Sequence, residues 1–140
     1  MDEVTIIRSF REKDRNAVVA IWNLVFADDP PWSEPNAVID TKQTVQPNLF
    51  LIAELGGKVL GTALAGFDGV RGWVHHVAVH PDYQRRGVAA SLMAAAEAGL
   101  KEMGCRKLNL QVRATNTTVL AFYEELGFQA EDRISFGKVL

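Results

Sequence analysis

The sequence predicts an α/β chain of the α+β kind: a mixed, mostly antiparallel sheet flanked by about four helices. Three observations carry this. The apolar runs 49–54, 58–67 and 72–79 are separated only by Gly56-Gly57 and by a turn at Asp68-Gly69, the mark of an antiparallel meander. A helix-periodic stretch over 88–100 then lies between the third run and another alternating run at 108–112, as in a crossover between neighbouring strands. Two further helical stretches precede the meander and one follows the crossover.

Taken in order, Thr5 to Arg8 reads as a short first strand. Asp14 is placed to cap the helix that follows, whose inner face is marked by Val18, Trp22, Val25 and Phe26. The stretch ADDPPWSEPN, residues 27–36, holds three of the five prolines and ends that helix. A more polar helix is expected from Glu34 to Thr44, ended by Pro47. After the meander, Val88, Leu92, Ala96 and Leu100 recur four apart, and Gly104 is the natural stop. Leu108, Leu110 and Val112 alternate with Asn109 and Gln111, as in a strand. Val119, Phe122, Tyr123 and Leu126 form a final helical stripe closed by Gly127, and Phe128 to Leu140 is expected to add one or two last strands. The 140 residues contain no repeat, low-complexity tract or linker, so a single domain over 1–140 is expected.

Bulk composition narrows the function. Hydrophobic residues make up 48% and charged residues 23%, which suits a folded core. Fifteen basic against seventeen acidic residues give a formal charge of −2, so no positive field calls for a nucleic-acid partner. No run of about 18 apolar residues marks a membrane span. MDEVTIIRSF lacks the apolar core of a signal peptide, and the lone Cys105 suits a reducing setting, so a cytoplasmic location is expected. Cys105 follows a helix-stopping glycine and is a poor nucleophile candidate.

The most informative stretch is VAVHPDYQRRGVAASLM, residues 77–93, where a strand gives way to a helix. A helix start presents backbone N–H groups without helical partners and carries partial positive charge, so anions settle there. Gly87 removes a side chain where a ligand can approach the backbone, Arg85 and Arg86 add positive charge, and Ala89 and Ala90 keep the first turn uncluttered. These features suit a phosphate or pyrophosphate, although an isolated Arg-Arg-Gly is also common in plain solvated turns. Neither GxxxxGK[ST] nor GxGxxG is present, which argues against a P-loop or a Rossmann dinucleotide site.

This string resembles the central Q/R-x-x-G-x-G/A motif of the GNAT N-acetyltransferases, with Gln84, Gly87 and Ala89 in its defined positions. A second signature of that family, an asparagine followed by F-Y-x-x-L-G-F, is matched by NTTVLAFYEELGF, residues 116–128. The two are correctly ordered and spaced, and the element order agrees over nearly the whole chain. The resemblance implies a GNAT fold with strands splayed at the coenzyme site and acetyl-coenzyme A as cosubstrate. It places the pyrophosphate on the loop Gln84, Arg85, Arg86, Gly87, Val88, Ala89 and Ala90, and main-chain bonds to the pantetheine on Val77 and Val79, as in strand addition. It further implies contact between Asn116 and the pantetheine, beside that residue's own helix-capping role. A homodimer is compatible with the resemblance but no residue requires one.

Direct transfer from a thioester to an amine needs a proton taken from the amine, an oxyanion donor and a proton for the thiolate. The resemblance assigns the last to Tyr123, whose alternative role is packing in its stripe, and the oxyanion to the N–H of Val77. For the base, simple alternation puts Trp73, His75, Val77 and Val79 on one strand face and Val74, His76 and Ala78 on the other. The resemblance makes His75, two positions before the first coenzyme-contacting residue of the strand, the base or water-relay candidate, with an ordinary value of ~6.5 that suits proton relay; its alternative is a hydrogen-bonded strand residue without a role. His80 reads as a turn residue. Adjacent strand histidines point apart, so no metal site is expected. The segment carrying Asp28, Asp29, Trp32 and Glu34 is either an acceptor border or a solvated loop. The acceptor itself, an amine-bearing small molecule or a protein or peptide amine, is left open. A non-catalytic acyl-coenzyme A binding or sensing module is the alternative function.

Overall fold

The first strand and the first helix are tied together by a buried charge. In the computed structural model, which describes residues 4–140, the Arg8 guanidinium donates to both oxygens of Asp14 at 2.8 and 2.9 Å and to Glu54 at 2.9 Å. Asp14 is 3% exposed and also accepts the Arg11 backbone N–H. Burial alone would raise its carboxyl, but the Arg8 hydrogen bonds, the Arg11 amide and the Arg8 charge outweigh this and hold it below the usual carboxylate range. Asp14 does occupy the N-cap position of the first helix, as expected. Its side chain makes no capping bond there, because Arg8 has claimed it.

The chain forms two compact units, divided after Leu110. The first holds a five-stranded sheet in sequence order: β1 (Ile6–Ser9), β2 (Phe50–Leu55), β3 (Lys58–Phe67), β4 (Gly72–Val79) and β5 (Leu108–Asn109). The first four are antiparallel and β5 runs parallel to β4. Helices α1 (Arg15–Val25) and α2 (Pro35–Lys42) precede β2, and α3 (Val88–Glu102) makes the crossover from β4 to β5. The α+β class and the meander are therefore as the sequence predicts. Gly56 and Gly57, with φ of 57° and 81°, make the tight turn between β2 and β3.

The two faces of the sheet are covered by different helices. On one, Val18, Ile21 and Trp22 of α1 and Ile39 of α2 pack with Phe50, Ile52, Leu64 and Ala78. Phe50 stacks between Phe10 and Trp22, at centroid distances of 4.3 and 6.0 Å. On the other lies α3, whose Val88, Leu92, Met93, Ala96 and Leu100 are buried as their spacing requires. The backbone of β3 comes close under α3 at Gly61, where an added Cβ would lie 2.6 Å from the Ala78 carbonyl oxygen and 3.4 Å from Leu92.

One irregularity in β4 sets the geometry of the site. Thr62 pairs with Ala78 but Leu64 pairs with His75, so His76 and Val77 together oppose Ala63 in a β-bulge, and His76 takes φ of 51°. A left-handed histidine is held there by the core. Thr62, fully buried, donates its hydroxyl to the His76 carbonyl oxygen at 2.9 Å and accepts the Trp22 indole N–H at 2.8 Å. The bulge overturns the simple alternation. Residues paired across a ladder share a face. By pairing, Trp73, His75 and Ala78 therefore lie on the α1–α2 face with Thr62, Leu64 and Gly66, whereas Val74 and Val79 lie on the α3 face with Ala65 and Gly61.

The second unit, Gln111–Leu140, contains α4 (Thr117–Glu125). Asn116 caps it, its side-chain oxygen accepting the Val119 N–H at 3.3 Å. Two expectations fail beyond α3. The strand expected over 108–112 forms a ladder only at Leu108 and Asn109, and residues 128–140 form no strand. Ile134 and Phe136 in this stretch are exposed, at 83% and 93%. A strand is stable only when its backbone groups find a ladder and one face finds a core. None of the described helices is long and apolar enough to cross a membrane.

Replacing Thr62 by Val should leave the buried indole N–H and the His76 carbonyl without this partner. We expect a loss of about 1–3 kcal/mol in chemical denaturation, most of it recovered in Thr62→Ser.

Candidate active site

The edge of β4 that faces away from β3 opens beyond its first two residues. Its ladder to β5 consists of Gly72–Leu108 and Trp73–Asn109, and then the bulge bends β4. His80 N–H donates to Leu60 O at 2.7 Å, toward β3. By the alternation of an antiparallel ladder, the N–H and C=O of Val79 point to the opposite, strand-free edge. The Gln84 side chain already donates to the Val79 carbonyl at 3.3 Å, which ties the loop to the strand end.

That edge leads into the loop before α3. His80 accepts the Asp82 N–H on Nδ1 at 3.1 Å, so it is the turn residue expected. The guanidinium of Arg86 lies 5.3 Å from the Tyr83 ring centroid, and Arg85 adopts a left-handed φ of 63°. Gly87 is the N-cap of α3, with φ of 80°, no side-chain cap and nothing within 4 Å of where a Cβ would stand. The first-turn amides of Val88, Ala89 and Ala90 are thus left for an external acceptor, with two exposed arginines beside them. These features fit a diphosphate.

On the α1–α2 face, His75 and His76 both line a cavity of about 580 Å³, so the two do not separate to opposite sides as alternation predicts. The bulge is the reason. His75 is open to solvent; the surrounding wall and then the Lys42 charge hold its imidazole below the ordinary value. The His76 ring packs against Trp22 and Phe26, with centroids 4.6 and 5.3 Å away, and its Nε2 is buried without a hydrogen-bond partner. Burial lowers its pKa, Asp29 opposes this and His75 adds to it. No group of three or more metal-binding side chains occurs among the described residues.

The rest of the cavity includes residues that the sequence did not mark. Lys42 donates to the Ala65 carbonyl at 2.5 Å, and burial lowers its pKa. Gln46 bonds both backbone groups of Phe67, at 2.9 and 2.7 Å, in the manner of a strand partner. Both approach over Gly66, where an added Cβ would lie 3.3 Å from Gln46 Oε1 and 3.7 Å from Lys42 Nζ. A glycine inside an apolar strand was the one available signal. Trp32 and Trp73 also line this cavity, while Trp22 is core. Asp29 and Glu34 line a second cavity of about 410 Å³ that also includes His76. Glu34 is committed to capping α2 through the Asn36 and Ala37 amides.

In the second unit, Tyr123 is 9% exposed and packs edge-on to Phe122 and Phe128, with ring centroids 5.0 and 5.6 Å away. Burial pushes its phenol up to about 12. Phe122 beside it is half-buried.

Comparison with known proteins agrees with this architecture. The model of the acetyltransferase (GNAT) family matches residues 16–128. An acetyltransferase of Pectobacterium atrosepticum, ECA0875, is 39% identical over 134 residues, 96% of this chain and 94% of that one. Among solved structures, the ribosomal-protein-S18-alanine N-acetyltransferase of Escherichia coli is similar with a TM-score of 0.74 at 28% identity, covering 90% of this chain and 78% of that one. The aminoglycoside N-acetyltransferase AAC(6')-Iy, solved with CoA, shares the fold with a TM-score of 0.80 at 21% identity, covering 99% and 97%. The chain belongs to the GNAT family and is an acetyltransferase.

The histidines make a stability prediction. A lowered folded-state pKa means that the unfolded state binds more protons once the pH falls below ~6.5. Stability should therefore decline as pH drops from there through the folded value. His76→Asn, which tolerates the left-handed backbone, should lower stability at pH 8 through lost ring packing yet flatten the slope between pH 7 and 5. Denaturation midpoints across that range give the slope.

Proposed function

We propose that this chain transfers the acetyl group of acetyl-coenzyme A directly to the amine of a small-molecule acceptor. The observation that carries the reading is the continuity of two features. The strand-free edge of β4 runs straight into an uncapped helix start, open at Gly87 and flanked by Arg85 and Arg86. An extended pantetheine arm suits the first and a diphosphate the second. The AAC(6')-Iy structure, with the same fold, contains CoA, which supports this choice of donor.

Acetyl-coenzyme A supplies an activated thioester, and the residues of this chain divide the remaining work. The N–H of Val77 donates to the carbonyl oxygen as it gains charge. His75, on the cavity side, accepts the amine's proton directly or through water; its lowered pKa keeps the imidazole neutral and able to accept at pH 7. A C–N bond forms, the C–S bond breaks, and the sulfur leaves with the electron pair. Tyr123, whose raised pKa keeps its phenol protonated, donates the proton that the thiolate takes. Asn116 combines its capping role with contact to the pantetheine. The cavity of about 580 Å³ lies within the range of small-molecule sites, about 300–1,000 Å³, which favours a small acceptor over a peptide.

Coenzyme release from acetyl-coenzyme A, followed against a broad amine panel, tests the activity. Turnover with at least one amine is expected, and tight donor binding with no turnover anywhere would instead indicate a binding module. Tyr123→Phe should lower kcat by about a hundredfold or more while donor affinity changes little. Gly87→Glu should abolish donor binding, whereas Gly87→Ala, which carries the same backbone strain without the charge, should bind more weakly but measurably. Equal binding by the two variants would show that the diphosphate sits elsewhere.

A further inference from the structure

We infer that the cavity beneath α2 selects an acceptor bearing a carboxylate on an apolar or aromatic body, and that Lys42 is the residue that recognises the carboxylate. This rests on the N-acetyltransferase reading and adds the class of substrate.

The cavity wall is dominated by apolar and aromatic groups, among them Val38, Val45, Leu64, Phe67, Trp32 and Trp73. Such a wall holds a hydrophobic body and leaves orientation to a few polar groups. Lys42 stands out among them. It is half-buried, and its single hydrogen bond, to the Ala65 carbonyl, uses one of three ammonium protons. No carboxylate pairs with it among the described residues, in contrast to Arg8 and Arg15, which each bridge to two acids. A partly desolvated cation without a counterion is costly, and an incoming anion relieves that cost.

Among the described residues the wall holds one acid, Asp68, which is exposed and engaged in a turn. Asp68 Oδ1 accepts the backbone N–H groups of Val70 and Arg71, each at 2.8 Å, closing the turn between β3 and β4. Backbone amides hold that carboxylate, led by Arg71 and then Val70, and keep its pKa low. The remaining titratable groups in the wall are His75 and His76, which add no negative charge at any pH. A polycationic acceptor would thus meet a fixed ammonium and find one acid already engaged. A molecule with one amine and one carboxylate would find a matching charge.

The test compares apolar and aromatic amino acids with their amides, which keep the body and the amine but lose the anion. Polyamines and an aminoglycoside serve as polycationic acceptors. The free acids should exceed the amides by about tenfold or more in kcat/KM, mainly through KM, as charge-assisted hydrogen bonds of about 1.5–3 kcal/mol predict. Lys42→Gln, which keeps a donor for Ala65 but removes the charge, should bring the acid-to-amide ratio to within about threefold. Lys42→Arg should restore much of it. Amides or polycations used as well as the acids, or a ratio unmoved by Lys42→Gln, would overturn the assignment while leaving the transferase reading intact. If no amine is acetylated, that reading fails instead. Calorimetric binding of the same acids and amides to wild type and Lys42→Gln then decides the anion site by itself: Lys42-dependent binding of the acids supports it and its absence overturns it.

Discussion

The hydrogen-bond chain from Trp22 through Thr62 to the His76 carbonyl is the constraint on which the site depends. A left-handed histidine in the middle of a strand is unfavourable by itself. It persists because a buried hydroxyl fixes its carbonyl and a buried indole fixes the hydroxyl. With the bulge in place, β4 carries one extra residue against β3. That residue changes which side chains face α1 and α2 and bends the strand. The strand-free edge of β4 and the histidine-lined cavity both adjoin this bulge.

The two faces of the sheet then specialise. The α3 face is dry and regular, with small residues at Gly61 and Ala96 allowing helix and strand to pack closely. Its regularity aims the first turn of α3 and leaves Gly87 open at the end of β4. The α1–α2 face is interrupted. The short polar helix α2 buries only Ile39, and its end, with Gln46, bridges over Gly66 instead of filling the space above β3. A cavity remains where a longer apolar helix would have packed. Incomplete coverage on that face leaves the cavity open.

Much of this was legible beforehand because it is written in local signals. Gly56-Gly57 and Asp68-Gly69 mark the meander, the four-residue recurrence from Val88 to Leu100 marks the crossover helix, and Gln84 to Ala89 marks the loop. The misreadings share one origin. A bulge has no signature of its own in WVHHVAV, since the unit that stabilises it, Trp22 and Thr62, is distant in sequence; alternation was therefore carried one residue too far, separating His75 from His76. Lys42 and Gln46 carry no local signal of their own; the tertiary fold lays them over Gly66. In the tail, the strands expected over Phe128 to Leu140 do not form, because a strand also needs a ladder partner, which local sequence does not show.

Charge placement links the two halves of the proposed chemistry. Burial, and after it the Lys42 charge, disfavours the imidazolium of His75. A carboxylate seated on Lys42 cancels part of that repulsion. In the proposed reaction the proton affinity of His75 would therefore rise on acceptor binding, when a proton must leave the amine. A polycation would act in the opposite direction, lowering that affinity further. The same ammonium can thus serve both recognition and proton transfer, because its field reaches a histidine that the bulge has brought to the same wall.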